Sequence, residues 1–301
     1  MPTARTRAVV LALAVTVALL LGAGPSAEAE PSGGADRLPK PSAVTSFWSG
    51  TIQPGATKTW HWNNAPAQRI YQVGLSPAGA TTTKTCQFEV VKNWYETTYL
   101  GEREFYWRIQ NVGGLACGTT VLLTAVVADA TTALGTIAPG SSVTIDRPFQ
   151  HLGDRLDLFG LTASGATAST DCRVRVESAL ESFEPEPEWA ITVRNDGSAA
   201  CAATLLSGTT VQPAFASLKL GQLDPGSAVN VVWNNANPLS AAHVVNPAVG
   251  EYNQCAVQVT RLYYRQRLNR GGATERELVF RIERTDGGPT CSVFADLAMT
   301  T

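Results

Sequence analysis

Alternation with a period of two dominates the chain after its N-terminal segment. One run reads Cys86-Phe88-Val90, a second Phe105-Trp107-Ile109, and a third Cys117-Thr119-Val121-Leu123. The same runs return as Cys172-Val174-Val176, Trp189-Ile191-Val193 and Cys201-Ala203-Leu205. They return again as Cys255-Val257-Val259, Leu278-Phe280-Ile282 and Cys291-Val293-Ala295-Leu297. Alternation of this kind, rich in β-branched and aromatic residues, predicts half-buried strands. No 3.6-residue stripe longer than a turn competes with it, so the expected fold class is all-β.

The strands recur because the sequence repeats. Each copy opens on G-x-[IL]-x-P-G: Gly50–Gly55, Gly135–Gly140 and Gly221–Gly226. After each Pro-Gly pair one face carries Lys58, Trp60 and Trp62, then Val143, Ile145 and Arg147, then Val229, Val231 and Trp233. Trp60 therefore fills the core slot of Ile145 and Val231. Trp62 shares its slot with Arg147, which places it near a strand end and partly in solvent. The opening motif resembles the first strand of the small β-sandwiches appended to secreted bacterial peptidases. The cysteines are not part of that resemblance, and no residue role is taken from it.

The turn proline, the first cysteine and the second cysteine all recur at about 85 residues, a strong sign of tandem repetition. A glycine stands four places before each second cysteine (Gly113, Gly197, Gly287). Units of this size hold their own cores, which predicts three tandem β-sandwich domains of immunoglobulin size over 45–129, 130–213 and 214–301. The segments NVGG, NDGS and TDGG before the second cysteines read as hairpin turns. Both cysteines of a copy lie on its core face, so the expected bridges are Cys86–Cys117, Cys172–Cys201 and Cys255–Cys291, one inside each domain. A metal site fits poorly, because no CxxC pair and no adjacent histidine is present.

The N-terminus reads as an address. Arg5 and Arg7 precede the apolar stretch Ala8–Gly24, and Ala27-Glu28-Ala29 offers a small-x-small cleavage site. That is the pattern of a secretory signal over 1–29, followed by a flexible lead-in over 30–44. The mature protein is then expected outside the cell without a membrane span. A net charge of −2 argues against nucleic acid as a partner. Arginine greatly outnumbers lysine, which suggests a GC-rich bacterial source.

Catalytic patterns are absent. The three histidines, His61, His151 and His243, hold non-equivalent positions, and neither HExxH, GxSxG, P-loop nor GxGxxG occurs. The sequence therefore predicts no catalytic residue, no metal and no cofactor. Glu181, Glu184, Glu186 and Glu188 lie in a proline-spaced run that reads as solvated.

The copies differ most between their two cysteines. Copy one offers Trp94, Tyr95 and Tyr99, copy two a run of glutamates, and copy three Tyr263, Tyr264, Arg265, Arg267 and Arg270. In copy three the apolar alternation slips register after Val259, which predicts a bulge with Tyr263 and Tyr264 on opposite sides. Loops on a rigid sandwich are a common place for recognition, and Tyr, Trp and Arg are favoured at interface hot spots. The leading expectation is a secreted, non-enzymatic protein that binds an extracellular protein or a cell-surface component. Carbohydrate is the alternative, stacked on Trp62, Trp94, Tyr95, Tyr99 or Trp233. A passive spacer is the third reading.

Overall fold

The motif that opens each copy is a bulge followed by a turn. Gly50, Gly135 and Gly221 have φ of 74°, 74° and 97°, and each sits where its strand slips against the neighbouring one. An extra residue beside a left-handed glycine bends a strand and increases its twist. The Pro-Gly pair then closes a tight turn. Ala56 N–H bonds the Gln53 carbonyl (3.0 Å), Ser141 that of Ala138 (3.1 Å) and Ser227 that of Asp224 (3.0 Å). Proline second and a positive-φ glycine third make a type II turn.

The structure is a computed structural model that describes residues 45–300 apart from 149–154, 184–185, 212–215, 235, 237–241, 251–254 and 270. The segments read as secretory signal and lead-in lie outside the described residues. Copy one forms β1 (Thr45–Ile52), β2 (Thr57–Trp62), β3 (Arg69–Ala78), β4 (Cys86–Thr97), β5 (Arg103–Asn111) and β6 (Cys117–Val127). Copy two forms β7 (Ala130–Ile137), β8 (Ser142–Pro148), β9 (Arg155–Ser164), β10 (Cys172–Phe183), β11 (Pro187–Asn195) and β12 (Cys201–Val211). Copy three forms β13 (Ala216–Leu223), β14 (Ala228–Trp233), β15 (His243–Val249), β16 (Ala256–Leu268), β17 (Thr274–Arg284) and β18 (Cys291–Met299).

In every copy the first, sixth and third strands make one antiparallel sheet: β1-β6-β3, β7-β12-β9 and β13-β18-β15. The second, fifth and fourth make a second ladder: β2-β5-β4, β8-β11-β10 and β14-β17-β16. Disulfides Cys86–Cys117, Cys172–Cys201 and Cys255–Cys291 join the fourth strand to the sixth and so staple ladder to sheet. Loops of this length correspond to about 3–4 kcal/mol each on the chain-entropy model.

One expectation is corrected here. NVGG, NDGS and TDGG are not hairpin turns, because the fifth and sixth strands lie in different sheets. They are arches pinned from inside by a buried side chain. Asn111 donates to the Ile52 and Leu115 carbonyls (2.8 and 2.7 Å) and accepts from Gly113 N–H (3.0 Å). Asn195 repeats this with Ile137, Ala199 and Gly197 (2.9, 2.7 and 2.9 Å). In copy three Arg284 takes the place. It donates to the equivalent Leu223 carbonyl (3.0 Å) and is held by Asp286 (2.7 Å). That ion pair holds the Asp286 carboxyl down at about 2, chiefly through the Arg284 hydrogen bond.

The three ladders do not end at their fourth strands. β4, β10 and β16 pair antiparallel with one another at three corners, placing Tyr95 opposite Val174, Glu181 opposite Val257 and Tyr264 opposite Phe88. Phe88, Val174 and Val257 occupy one position of the repeat, and Tyr95, Glu181 and Tyr264 another. The register is therefore the same at every corner, and β4, β10 and β16 close a pseudo-threefold ring from which the three ladders of the nine-stranded sheet extend. Each of the three strands carries a bulge near its middle, at Val90/Lys92, Val176/Ser178 and Val259/Arg261. The bulge lets one half of the strand face the preceding copy and the other half the next. The register slip seen in copy three is thus common to all.

Buried side chains lock the ring in the same cyclic sense. Arg103, at the start of β5, donates to the Leu161 carbonyl of copy two (2.9 Å) and to the Pro66 and Arg69 carbonyls (2.6 and 3.0 Å). Its guanidinium lies 4.2 Å from the Tyr95 ring centroid. Arg276, equivalent in β17, donates to the Leu75 carbonyl of copy one (2.9 Å) and lies 4.4 Å from the Tyr264 ring. Copy two has Pro187 and Glu181 at these positions, and there the Val249 N–H of copy three donates to the Glu181 carboxylate (3.3 Å). Leu75 and Leu161 are one position of the repeat, opposite Val121 and Leu205, and Val249 lies two residues further along the equivalent strand. Each copy therefore grips the third strand of the next, twice by a carbonyl and once by an N–H.

Scanning calorimetry on the oxidised protein should show one transition, with calorimetric and van't Hoff enthalpies equal. Arg103→Ala removes charge-assisted bonds to three carbonyls and should lower that whole transition by about 3 kcal/mol or more. Separate transitions, only one of them moved by the substitution, would mean that the copies unfold independently.

Candidate functional site

The sequence candidates scatter. Tyr99 stands at the tip of the β4–β5 hairpin, 62 % exposed, beside Leu100 at 68 %. The tip is closed by Thr98 N–H to Glu102 and Gly101 N–H to Thr98, both 2.9 Å. Leu100 escaped the sequence reading, because a single leucine in a polar loop carries no periodic signal. Trp62 ends β2 opposite Phe105 and is 39 % exposed, while Trp233 ends β14 opposite Leu278 and is half-buried.

Trp94 and Tyr95 are 6 % and 4 % exposed, and neither offers a flat face to a ligand. Trp94 points away from its own core but is covered there. Tyr106 stacks on it at 5.0 Å, His61 stacks on Tyr106 at 4.9 Å, and the cations of Lys92, Arg108 and Arg173 lie 5.5, 5.9 and 5.9 Å from its ring. Tyr95 instead enters the core, where its hydroxyl accepts from Tyr71 N–H (3.1 Å). Tyr264 is likewise buried and accepts from His243 N–H (3.0 Å), whereas Tyr263 is half-buried under Arg261. Arg267 is paired with Glu275 (2.7 Å) and Glu277 (2.6 Å), and Arg265 also pairs with Glu277. Arg270 and Glu184 lie outside the described residues. Glu181 is buried, so the glutamate run is not uniformly solvated.

Between copies one and two the outer face carries a network of ions. Asp196 meets Lys92 (2.7 Å), Arg175 (2.8 Å) and Arg194 (3.0 Å), and Arg173 bridges Asp171 and Glu96. Burial alone would raise the Asp196 carboxyl, but hydrogen bonds from Lys92 and Arg175 hold it below the usual range. Between copies three and one the corresponding contact is Arg261–Glu89 (3.0 Å).

A cavity of about 310 Å³ lies where the copies meet. Gln72 and Asn93 of copy one, Asp157, Phe159 and Trp189 of copy two, and Asn246 of copy three stand on its wall. Its position follows from the repeat. Asn93, Ala179 and Leu262 are equivalent, each facing the inner side opposite Trp107, Ile191 and Phe280. Copy two has the smallest of the three, and the space opens beside it. Trp189 Nε1–H donates to the Asp157 carboxylate (3.0 Å).

His243 begins β15 and is buried against Tyr264 and Arg276. Neither ring nitrogen has a hydrogen-bond partner among the described residues. Burial first, and the Arg276 charge second, push its pKa down to about 3. Among the described residues no group of three His, Cys, Asp or Glu is placed to hold a metal, and no helix is long and apolar enough to cross a membrane. Comparison with protein-family models, curated proteins and solved structures finds no match.

The buried imidazole has a consequence for acid stability. Between pH 6.5 and about 3 the unfolded chain binds a proton at His243 that the folded chain excludes. Its contribution is therefore whole above pH 6.5 and should fall by about 1.4 kcal/mol per pH unit below that. Urea titrations at pH 7 and pH 5 check this. His243→Phe should flatten the difference, and an unchanged pH slope in that variant would show the histidine to be uninvolved.

Proposed function

We propose that the protein is a secreted, non-enzymatic binding protein that recognises an extracellular protein or a cell-surface component. The observation that carries this reading is the tip of the β4–β5 hairpin, where Tyr99 and Leu100 stand side by side in solvent. Adjacent large apolar side chains on an exposed tip find burial only against something else. The base of that hairpin is held rigidly. Thr97 Oγ1–H donates to the Ala163 carbonyl (2.8 Å), and Arg103 is bonded to three carbonyls. A tip mounted in this way loses little entropy on binding. Each copy is read as a sandwich of immunoglobulin size, its ladder and sheet stapled by the disulfide, with the ring setting the hairpins at fixed angles. Three disulfides suit an oxidising, extracellular setting.

Immobilised protein should capture its partner from native culture medium or from the producing cells. In the double variant Tyr99→Ser/Leu100→Ser capture should drop at least about tenfold, a loss of 1.4 kcal/mol or more. The melting curve should stay within about 0.5 kcal/mol of wild type, as for other surface substitutions. Equal capture by both proteins would remove the tip from recognition.

A further inference from the structure

The outer edges of the three ladders, β2, β8 and β14, are equivalent strands that are guarded unequally. The ladder bond beside the turn is the same in each: Asn111 N–H to the Ala56 carbonyl (3.1 Å), Asn195 N–H to Ser141 (3.0 Å) and Arg284 N–H to Ser227 (3.0 Å). Antiparallel ladder bonds then fall on alternate residues. The N–H and C=O groups turned away from the ladder therefore belong to Thr57, Thr59 and His61, to Ser142, Thr144 and Asp146, and to Ala228, Asn230 and Val232. Edge strands are ordinarily protected by charge or proline. β2 carries Lys58, and β8 carries Asp146, Arg147 and Pro148. β14 reads AVNVVW, with no charge, no proline and no bulge against β17. Val232 fills the slot of His61 and Asp146 and is 46 % exposed. Asn230 is exposed beside it, and among the described residues nothing is hydrogen-bonded to this edge.

The strand is also complementary to itself. An antiparallel twofold centred on Asn230 sets Asn230 against Asn230 of a second copy, and Val232 against Ala228. On the core side it sets Val229 against Val231. Every outward N–H and C=O is then paired, because Ala228, Asn230 and Val232 are the alternate residues that such a ladder uses. A carboxamide both donates and accepts, so the two Asn230 side chains suit each other. Within the strand no like charges are opposed. The chain already joins its own equivalent strands antiparallel, at the corners of the ring. We propose that β14 is a dimerisation edge, pairing antiparallel with β14 of a second copy and continuing the sheet across a twofold axis. This pairing does not rest on the role given to the hairpin tip.

Sedimentation velocity and light scattering on the full oxidised chain, over a wide range of concentration, test this. Expected is a reversible equilibrium between monomer and dimer. In hydrogen exchange the amides of Ala228, Asn230 and Val232 should gain protection as the dimer fills. Asn230→Lys and Asn230→Asp each set like charges face to face and should each weaken the dimer at least about tenfold. Mixed together, the two variants should associate again, because the axis then opposes unlike charges. Val232→Lys serves if Asn230→Lys misfolds, and Thr59→Lys on the equivalent edge of copy one should leave dimerisation unchanged. The proposal is overturned by a chain that stays monomeric, by association that survives Asn230→Lys, or by mixed charge variants that stay apart. A monomer whose β14 amides are protected only by another protein would also overturn it and leave the edge to a foreign strand.

Discussion

Everything else in this fold rests on three short antiparallel contacts between β4, β10 and β16. Each pairs the first half of one strand with the last half of another, in one register repeated around the ring. An exposed strand edge is a row of unpaired amide and carbonyl groups and a template for aggregation. At the corners those groups are paired within the chain, and the ladder edges that would have been most dangerous are consumed by each other. The central bulges make this possible, because an unbent strand would serve one neighbour only.

The side chains that tie the corners show what is essential and what is exchangeable. Tyr95 with Arg103 and Tyr264 with Arg276 are one solution, a cation held on a ring and pointed at a carbonyl. Glu181 with Pro187 is another, with polarity inverted and the same strand addressed two residues further along. Burial lowers the pKa of both guanidinium groups, opposed by the tyrosines beside them. The constraint acts on where the neighbouring backbone is held, and the chemistry that holds it varies. The same lesson holds at the arches, where Asn111, Asn195 and Arg284 reach one carbonyl position by different means.

Legibility in the sequence followed the physical origin of each feature. Turns, strands and disulfides come from local rules, and Pro54-Gly55 or the alternation around Cys86 displays them directly. The ring comes from pairing between distant strands, and Tyr95 opposite Val174 leaves no trace in the pattern of either strand. Charge misled in a consistent direction. Glu181 reads as solvated because a pattern equates charge with exposure, and the same rule hides the burial of Arg103 and Arg276, although they recur at one position of the repeat. Asn111 and Asn195 stand in segments that read as hairpin turns, whereas their buried amides pin arches between sheets. The cavity was hidden because its cause is the smallness of Ala179, visible only against Asn93 and Leu262. Among candidate aromatics, Tyr99 proved exposed while Trp94 and Tyr95 proved covered.

The closed triangle also acts as a counter. Every corner repeats one register, and after three of them the last strand meets the first, Tyr264 against Phe88. A chain with two such units would leave one corner of each fourth strand bare. A fourth unit could enter only by opening a corner and changing the angle at all the others. Duplication of an ancestral segment along this lineage thus has a geometric stopping point, and a duplication beyond it would yield an open chain of sticky edges rather than a larger ring.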